Sequence, residues 1–188
     1  MSLWSGDFPR SWRRVFIASV TVVSASLLSA CGATMSNTQA FDRSSSKAIV
    51  VFGVATSFGP YEFAFSKFDP ATQKNPNPFN ANQQYDRTWD GKKELTFTAS
   101  VWEPGIYAVS HYCYQRTCLT FMKGTYYYEV KAGQINYLGN YFLDYDEGRF
   151  TGYTDDQVKD YLKTFPKVDA DLTHPERNPA RLKGLWDK

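Results

Sequence analysis

Apolar and polar positions along this chain keep a period of two for most of its length and change to a helical period once, late. Ala48 to Thr56 (Ala-Ile-Val-Val-Phe-Gly-Val-Ala-Thr) is a nearly unbroken apolar run rich in β-branched residues, which predicts a strand buried on both faces. After Gly59-Pro60, Tyr61, Phe63 and Phe65 alternate with Glu62, Ala64 and Ser66, a half-buried strand, and the turn between the two runs predicts a hairpin. Leu95, Phe97, Ala99 and Val101 alternate with Glu94, Thr96, Thr98 and Ser100, a strand with one wet face. Pro104 and Gly105 suit the central positions of a tight turn that reverses the chain into Ile106 to Cys113. The Tyr-Gln-Arg-Thr loop between Cys113 and Cys118 turns it back into Leu119 to Lys123. Gly124-Thr125 then leads into Tyr126 to Lys131, and Ala132-Gly133 into a last long strand over Gln134 to Tyr145.

Thr154-Asp155-Asp156-Gln157 reads as a capping box, with acids where the helix dipole favours them. Val158, Tyr161, Leu162 and Phe165 follow at i, i+3, i+4 and i+7, one apolar stripe able to lie on a sheet, and Pro166 stops the helix. About seven short strands and one late helix give a mainly β fold, an antiparallel β-sandwich with one C-terminal helix packed on it. Asp69 to Asp86 is rich in Pro, Asn, Gln and Lys without periodicity and reads as a loop. The tail, residues 167–188, contains Pro175 and Pro179 and ends with Leu182, Leu185 and Trp186, either a short helix or an arm docked on the domain.

Residues 1–30 stand apart. Arg10, Arg13 and Arg14 form a basic n-region, and Val15 to Ala30 an apolar stretch too short to span a bilayer comfortably. The segment closes on Leu28-Ser29-Ala30-Cys31, which resembles the lipobox of bacterial lipoprotein precursors: an apolar residue, two small residues, then the cysteine whose thiol takes a diacylglycerol. The resemblance implies a signal peptide over 1–30, cleavage before Cys31, palmitate-bearing lipid on that cysteine and a place in the cell envelope; Gly32 after the cysteine is compatible with the outer membrane facing the periplasm, and the inner membrane stays open as the alternative. Trp12-Arg13-Arg14-Val15-Phe16-Ile17 also looks like a loose twin-arginine signal, so the export route stays open between that pathway and general secretion. Residues 31–47 are small and polar and read as a flexible tether, with the sandwich and helix over 48–166.

Cleavage would leave 158 residues, enough for one domain with a sizeable core. It removes Arg10, Arg13, Arg14 and Asp7, so 21 basic and 19 acidic residues become 18 of each. No long basic run survives, which argues against a nucleic-acid partner.

Pro104-Gly105-Ile106-Tyr107, Tyr128-Glu129-Val130-Lys131-Ala132-Gly133 and Tyr137-Leu138-Gly139, followed by the capped helix, resemble a family of bacterial lipoproteins with a prealbumin-like sandwich and no assigned activity. The resemblance covers roughly residues 95–165. It implies the fold and no catalytic residue.

His111, Cys113 and Cys118 form H-x-C-x4-C, three potential copper or zinc ligands. Exported thiols normally pair, and no fourth ligand lies nearby in sequence, so a Cys113–Cys118 disulfide is expected and no metal or other cofactor. His111 then becomes a strand residue on the face of Tyr107 and Val109. There is no Gly-x-Ser-x-Gly elbow, and the second histidine, His174, sits in the tail. Asp144, Asp146 and Glu147 lack the spacing of a known calcium loop and read as a solvated strand end. Aromatic residues number 32 of 188, most of them core, with Tyr126, Tyr128 and Val130 on one face and Tyr127, Glu129 and Lys131 on the other. Trp89, Trp102, Tyr112, Tyr114 and Tyr127 are candidates for an exposed patch suited to a glycan or a protein partner.

Together these features point away from an enzyme and toward a lipid-anchored envelope lipoprotein that contacts the membrane through its N-terminal lipid and acts as a non-catalytic binding or scaffold module. The first alternative is a secretion-machine subunit, because the outer-membrane lipoprotein of type VI secretion is similar in layout. The second is an envelope hydrolase.

Overall fold

The run Ala48–Thr56 is a strand with both faces buried, and the two faces enter two different cores. The computed structural model describes residues 33–57, 61–73, 83–86, 94–114, 117–120, 125–145 and 148–180. In chain order the strands are β1 (Ala33–Thr34), β2 (Phe41–Asp42), β3 (Ala48–Thr56), β4 (Tyr61–Lys67), β5 (Gln83–Asp86), β6 (Thr96–Trp102) and β7 (Gly105–Tyr114). They continue with β8 (Thr117–Thr120), β9 (Thr125–Val130), β10 (Ile135–Leu143) and β11 (Gly148–Gly152). The helix α1 (Asp155–Leu162) precedes β12 (Val168–Asp169), β13 (Leu172–Thr173) and β14 (Asn178–Ala180). Among the described residues no helix is long and apolar enough to cross a membrane.

The fold is mainly β, a two-sheet sandwich with one helix. The first sheet has the order β1-β6-β3-β10-β11 with β13 beside β10; the second has the order β14-β9-β7-β4-β5 with β8 beside β7. Ala48, Val50, Phe52 and Val54 face the second sheet and meet Phe63, Phe65, Tyr107 and Tyr128 there. Ile49 and Val51 face the other way and pack with Tyr137, Val158 and Phe165 under the helix.

Three features of the topology differ from the sequence expectation. The second sheet is antiparallel throughout, but in the first β3 and β10 run parallel, from Ile49 opposite Ile135 to Thr56 opposite Leu143. A parallel pair needs both faces covered, and the unbroken apolar run of β3 supplies them. Second, the chain crosses between sheets where hairpins were expected: β3 and β4, β6 and β7, and β9 and β10 lie in different sheets. Two alternating runs joined by a short turn suit a hairpin or an arch equally well, so the pattern alone does not separate them. Third, the wet face of β6 points inward. Thr98 and Ser100 stand opposite Phe52 and Val50, and Ser100 is buried.

The connections at the crossovers are fixed by polar groups. Asn136 is buried at the start of β10; its amide oxygen accepts from the Lys131 N–H, and its Nδ2 lies within 3.2 Å of the carbonyls of Ile49, Lys131 and Gln134. The Gly133 N–H donates to the Lys47 carbonyl, and at φ +68° a β-carbon on Gly133 would stand 2.3 Å from the Arg43 carbonyl oxygen.

The helix starts differently from a capping box. Thr154 is the N-cap but makes no side-chain cap; its hydroxyl accepts from Asn140 Nδ2 at 3.0 Å, and its N–H donates to the Tyr137 hydroxyl at 3.1 Å. Tyr137 donates in turn to Asn140 Oδ1 at 2.7 Å, so the helix entry is tied to β10. Gly53 makes room for this network, since a β-carbon there would lie 2.4 Å from Asn140 Oδ1. Val158 and Phe165 are buried and Tyr161 and Leu162 pack beside them, as the stripe predicts.

Both ends of the domain depart from the expected boundaries. Within the segment read as a flexible tether, β1 pairs with β6, β2 pairs with β12, and Met35 and Phe41 are each 6 % exposed. Two isolated apolar residues carry no period, so composition made the segment look loose. The described part of the tail is a docked arm: β12, β13 and β14 each add to a different ladder. Leu182, Leu185, Trp186, the signal segment and Cys31 lie outside the described residues. Within the expected Asp69 to Asp86 loop, the Asp69 carboxylate accepts from the Ala71 N–H and the Thr72 hydroxyl, while Gln83–Asp86 forms β5 on β4.

The docked N-terminal segment is testable. Phe41→Ala should lower the unfolding free energy by about 3 kcal/mol, as for a buried ring, whereas a free tether would lose under about 0.5 kcal/mol; urea unfolding of the two proteins decides.

Candidate functional site

The residues singled out in the sequence do not converge. Cys113 is buried, and in the β7–β8 register it stands opposite Cys118. Opposed residues of an antiparallel pair lie about 4.5–5.5 Å apart at Cα, within the span of a disulfide. The side chain of Cys118 lies outside the described residues. His111 is not on the face of Tyr107 and Val109. Ala64 pairs with His111 and Phe65 with Val109, so Ser110 is the extra residue of a bulge, and Tyr112 takes the inward place instead. The Ser110 hydroxyl donates to the Ala64 carbonyl and lies 3.1 Å from His111 Nδ1. Burial pushes the His111 pKa below its ordinary 6.5. Among the described residues no three His, Cys, Asp or Glu side chains cluster.

Asp144 serves its own strand end. Its carboxylate accepts from the Tyr145 N–H at 2.7 Å and from the Ser57 hydroxyl at 2.9 Å, and these bonds hold its pKa below the usual carboxylate value. Asp146 and Glu147 lie outside the described residues. Of the expected aromatic patch, Trp102 and Tyr112 are 3 % exposed core residues, and Tyr127 lies tilted against Phe68 with centroids 5.2 Å apart. Trp89 and the ring of Tyr114 lie outside the described residues.

The side of the sandwich crossed by the C-terminal arm carries a different arrangement. The arm passes from β13 on the first sheet to β14 on the second and lays Arg177 between two rings, 4.3 Å from the Tyr126 centroid and 4.0 Å from that of Phe150. Phe150 continues to Tyr153 at 5.3 Å, and Tyr153 stacks on His174 at 4.5 Å with 19° between planes. The result is a ladder of four rings and one guanidinium. It joins β9, β11, the segment before α1 and the arm. Tyr153 is 37 % exposed. His174 Nε2 lies 3.0 Å from Asp155 Oδ1 in the first turn of α1.

Two clefts flank the arm. One of about 550 Å³ is lined by Tyr126, Gly148, Arg149, Phe150, Thr151, Gly152 and Arg177, two cations and no anion. The other, about 360 Å³, includes Glu129, Lys131, His174 and Glu176. A planar guanidinium held against two rings presents its N–H donors as a fork, the geometry that suits a carboxylate or phosphate. Among the described residues it takes part in no ion pair. Arg149 stands over Phe142, its cross-strand neighbour, at 5.0 Å and forms another rim of the same cleft. Sequence reading missed Phe150, Tyr153 and Arg177, because the ladder joins positions far apart in the chain through an arm without periodicity.

Comparison with protein-family models, with curated proteins and with solved structures gives no match.

The half-buried His111 sets a pH dependence. With its folded pKa depressed, His111 takes up a proton more readily in the unfolded chain, so stability is retained above about 6.5 and falls as pH drops through and below that value. His111→Gln should remove part of this fall. Urea unfolding at neutral and mildly acidic pH measures it, and equal losses in both proteins would exclude the residue.

Proposed function

We propose that this chain is a lipid-anchored cell-envelope protein whose sandwich is a non-catalytic binding module, and that its ligand is an anionic glycan taken by the Arg177 ladder. The observation that carries the binding reading is the guanidinium clamped between Tyr126 and Phe150 at the edge of a cleft lined by two arginines. Flat rings offer apolar surface to a sugar face, while a fixed fork takes its acidic group. Anchoring rests on the Arg10 to Cys31 segment and its resemblance to lipoprotein precursors. The likeness to the prealbumin-like lipoprotein family rests on the strand-and-turn motifs of residues 95–165 and agrees with a sandwich that carries one helix.

Wild-type protein made in a bacterium should sediment with membranes and incorporate labelled palmitate, and Cys31→Ser should lose both. Crosslinking in the native envelope from a photoreactive residue at Tyr153 should recover glycan. Arg177→Ala should weaken this capture by about tenfold or more, as for loss of a charged hydrogen bond. Recovery of secretion-apparatus subunits instead, or turnover of an envelope substrate by purified protein, overturns the binding reading.

The Cys113–Cys118 bridge belongs to the same proposal. It closes a short loop and contributes about 2 kcal/mol before strain. Mass spectrometry of the unreduced mature protein should find neither residue alkylated; two free thiols there refute it.

A further inference from the structure

We infer that the end of the sandwich formed by Lys47, the Glu103–Gly105 turn and the Ala132–Gln134 turn lies against the lipid headgroup layer, with the Tyr145 end directed away from it. This rests on the lipid-anchor reading. Its basis is the distance between the lipidated cysteine and the first fixed residue. Ala33 is opposite Val101 and Thr34 opposite Ser100, the Met35 N–H donates to the Ala99 carbonyl at 3.0 Å, and Met35 is buried. Only Gly32 separates Cys31 from this ladder. Two residues reach at most about 7 Å, so the acyl group starts close to the sheet.

The direction follows from the register. β1 runs antiparallel to β6, so the chain before Ala33 leads toward Trp102 and the turn beyond it. The same end gathers the neighbouring connections. Ala48 is opposite Trp102, Gly133 donates to the Lys47 carbonyl, and Gly105 is opposite Val130. Three ion pairs lie at this end: Lys47 with Glu103, Arg43 with Asp171 at 3.0 Å, and Lys131 with Glu129 at 3.9 Å. The short leash sets the orientation. The opposite end, where Leu143 pairs with Gly148 and Tyr145 is 57 % exposed, is a strand length away, roughly 30 Å for nine residues.

The experiment uses the full chain expressed in bacteria, with a photo-crosslinking amino acid at Ala132 or at Tyr145, both exposed, and labelled palmitate. The expected result is phospholipid adducts from Ala132 and only background from Tyr145. Inserting a Gly/Ser spacer of about ten residues between Gly32 and Ala33, roughly 17 Å of reach, should erase the difference while the palmitate label stays. Label present with equal adducts from both positions, or more from Tyr145, overturns the orientation alone. Loss of the difference must also depend on the spacer; a difference unchanged by it overturns the leash. Absence of label overturns the anchor, and the orientation with it.

Discussion

A strand that is apolar on both faces has to be covered twice, and in this protein the double cover of β3 organises everything else. Its even residues, from Ala48 to Val54, need a second sheet, and Ile49 and Val51 need a further layer. That layer is assembled from α1, from Met35 and Phe41 ahead of β3, and from side chains of the first sheet itself. The neighbour on one side is β10, running parallel, and it too is buried nearly throughout. A parallel pair in the middle of a sheet is tolerated because neither strand meets solvent. The helix and the N-terminal segment are therefore structural parts of the fold, since they cover the face that the second sheet cannot reach.

Such a core contains hydroxyl groups, and their bonding is directional. The Tyr141 hydroxyl donates to the Leu138 carbonyl at 3.2 Å, so Tyr128, whose oxygen lies 2.6 Å away, donates to Tyr141. Burial pushes both phenols above their ordinary pKa, and Tyr107, which donates to the Glu103 carbonyl, is pushed up to about 12. These chains cross from one sheet to the other or close a turn, so they favour one alignment of the sheets as well as satisfying polar atoms.

How much of this could be read from the chain depends on what a local pattern encodes. Periods of two and 3.6 report which residues are covered, and they located β3, β4, β6, β7, β9, β10 and α1. They do not report which strand lies alongside, so the crossovers and the parallel β3–β10 pair were invisible. One extra residue at Ser110 was enough to turn His111 to the other face. Phe41 is a single ring in a polar segment, and Arg177 a single cation between prolines. Neither belongs to a period, and each acquires its role only from a partner far along the chain. Gly105 and Gly133 were legible as turns because a positive φ leaves a residue-type signal.

The connections from sheet to sheet also set an order of events. In the first sheet β3 finds its neighbours only when β6 and β10 exist, and β10 in turn is flanked by β11 and, at its start, by β13. Almost no strand of that sheet can zip onto the strand that precedes it. Contacts between distant parts of a chain close slowly, because the loop entropy is lost before the contacts stabilise anything. A polypeptide delivered from its N-terminus would therefore present β3 long before anything could pair with it. Closure waits for the arm that brings Ala180 onto β9. The delay leaves the uncovered Val50–Val54 stretch dependent on protection until β6 and β10 arrive.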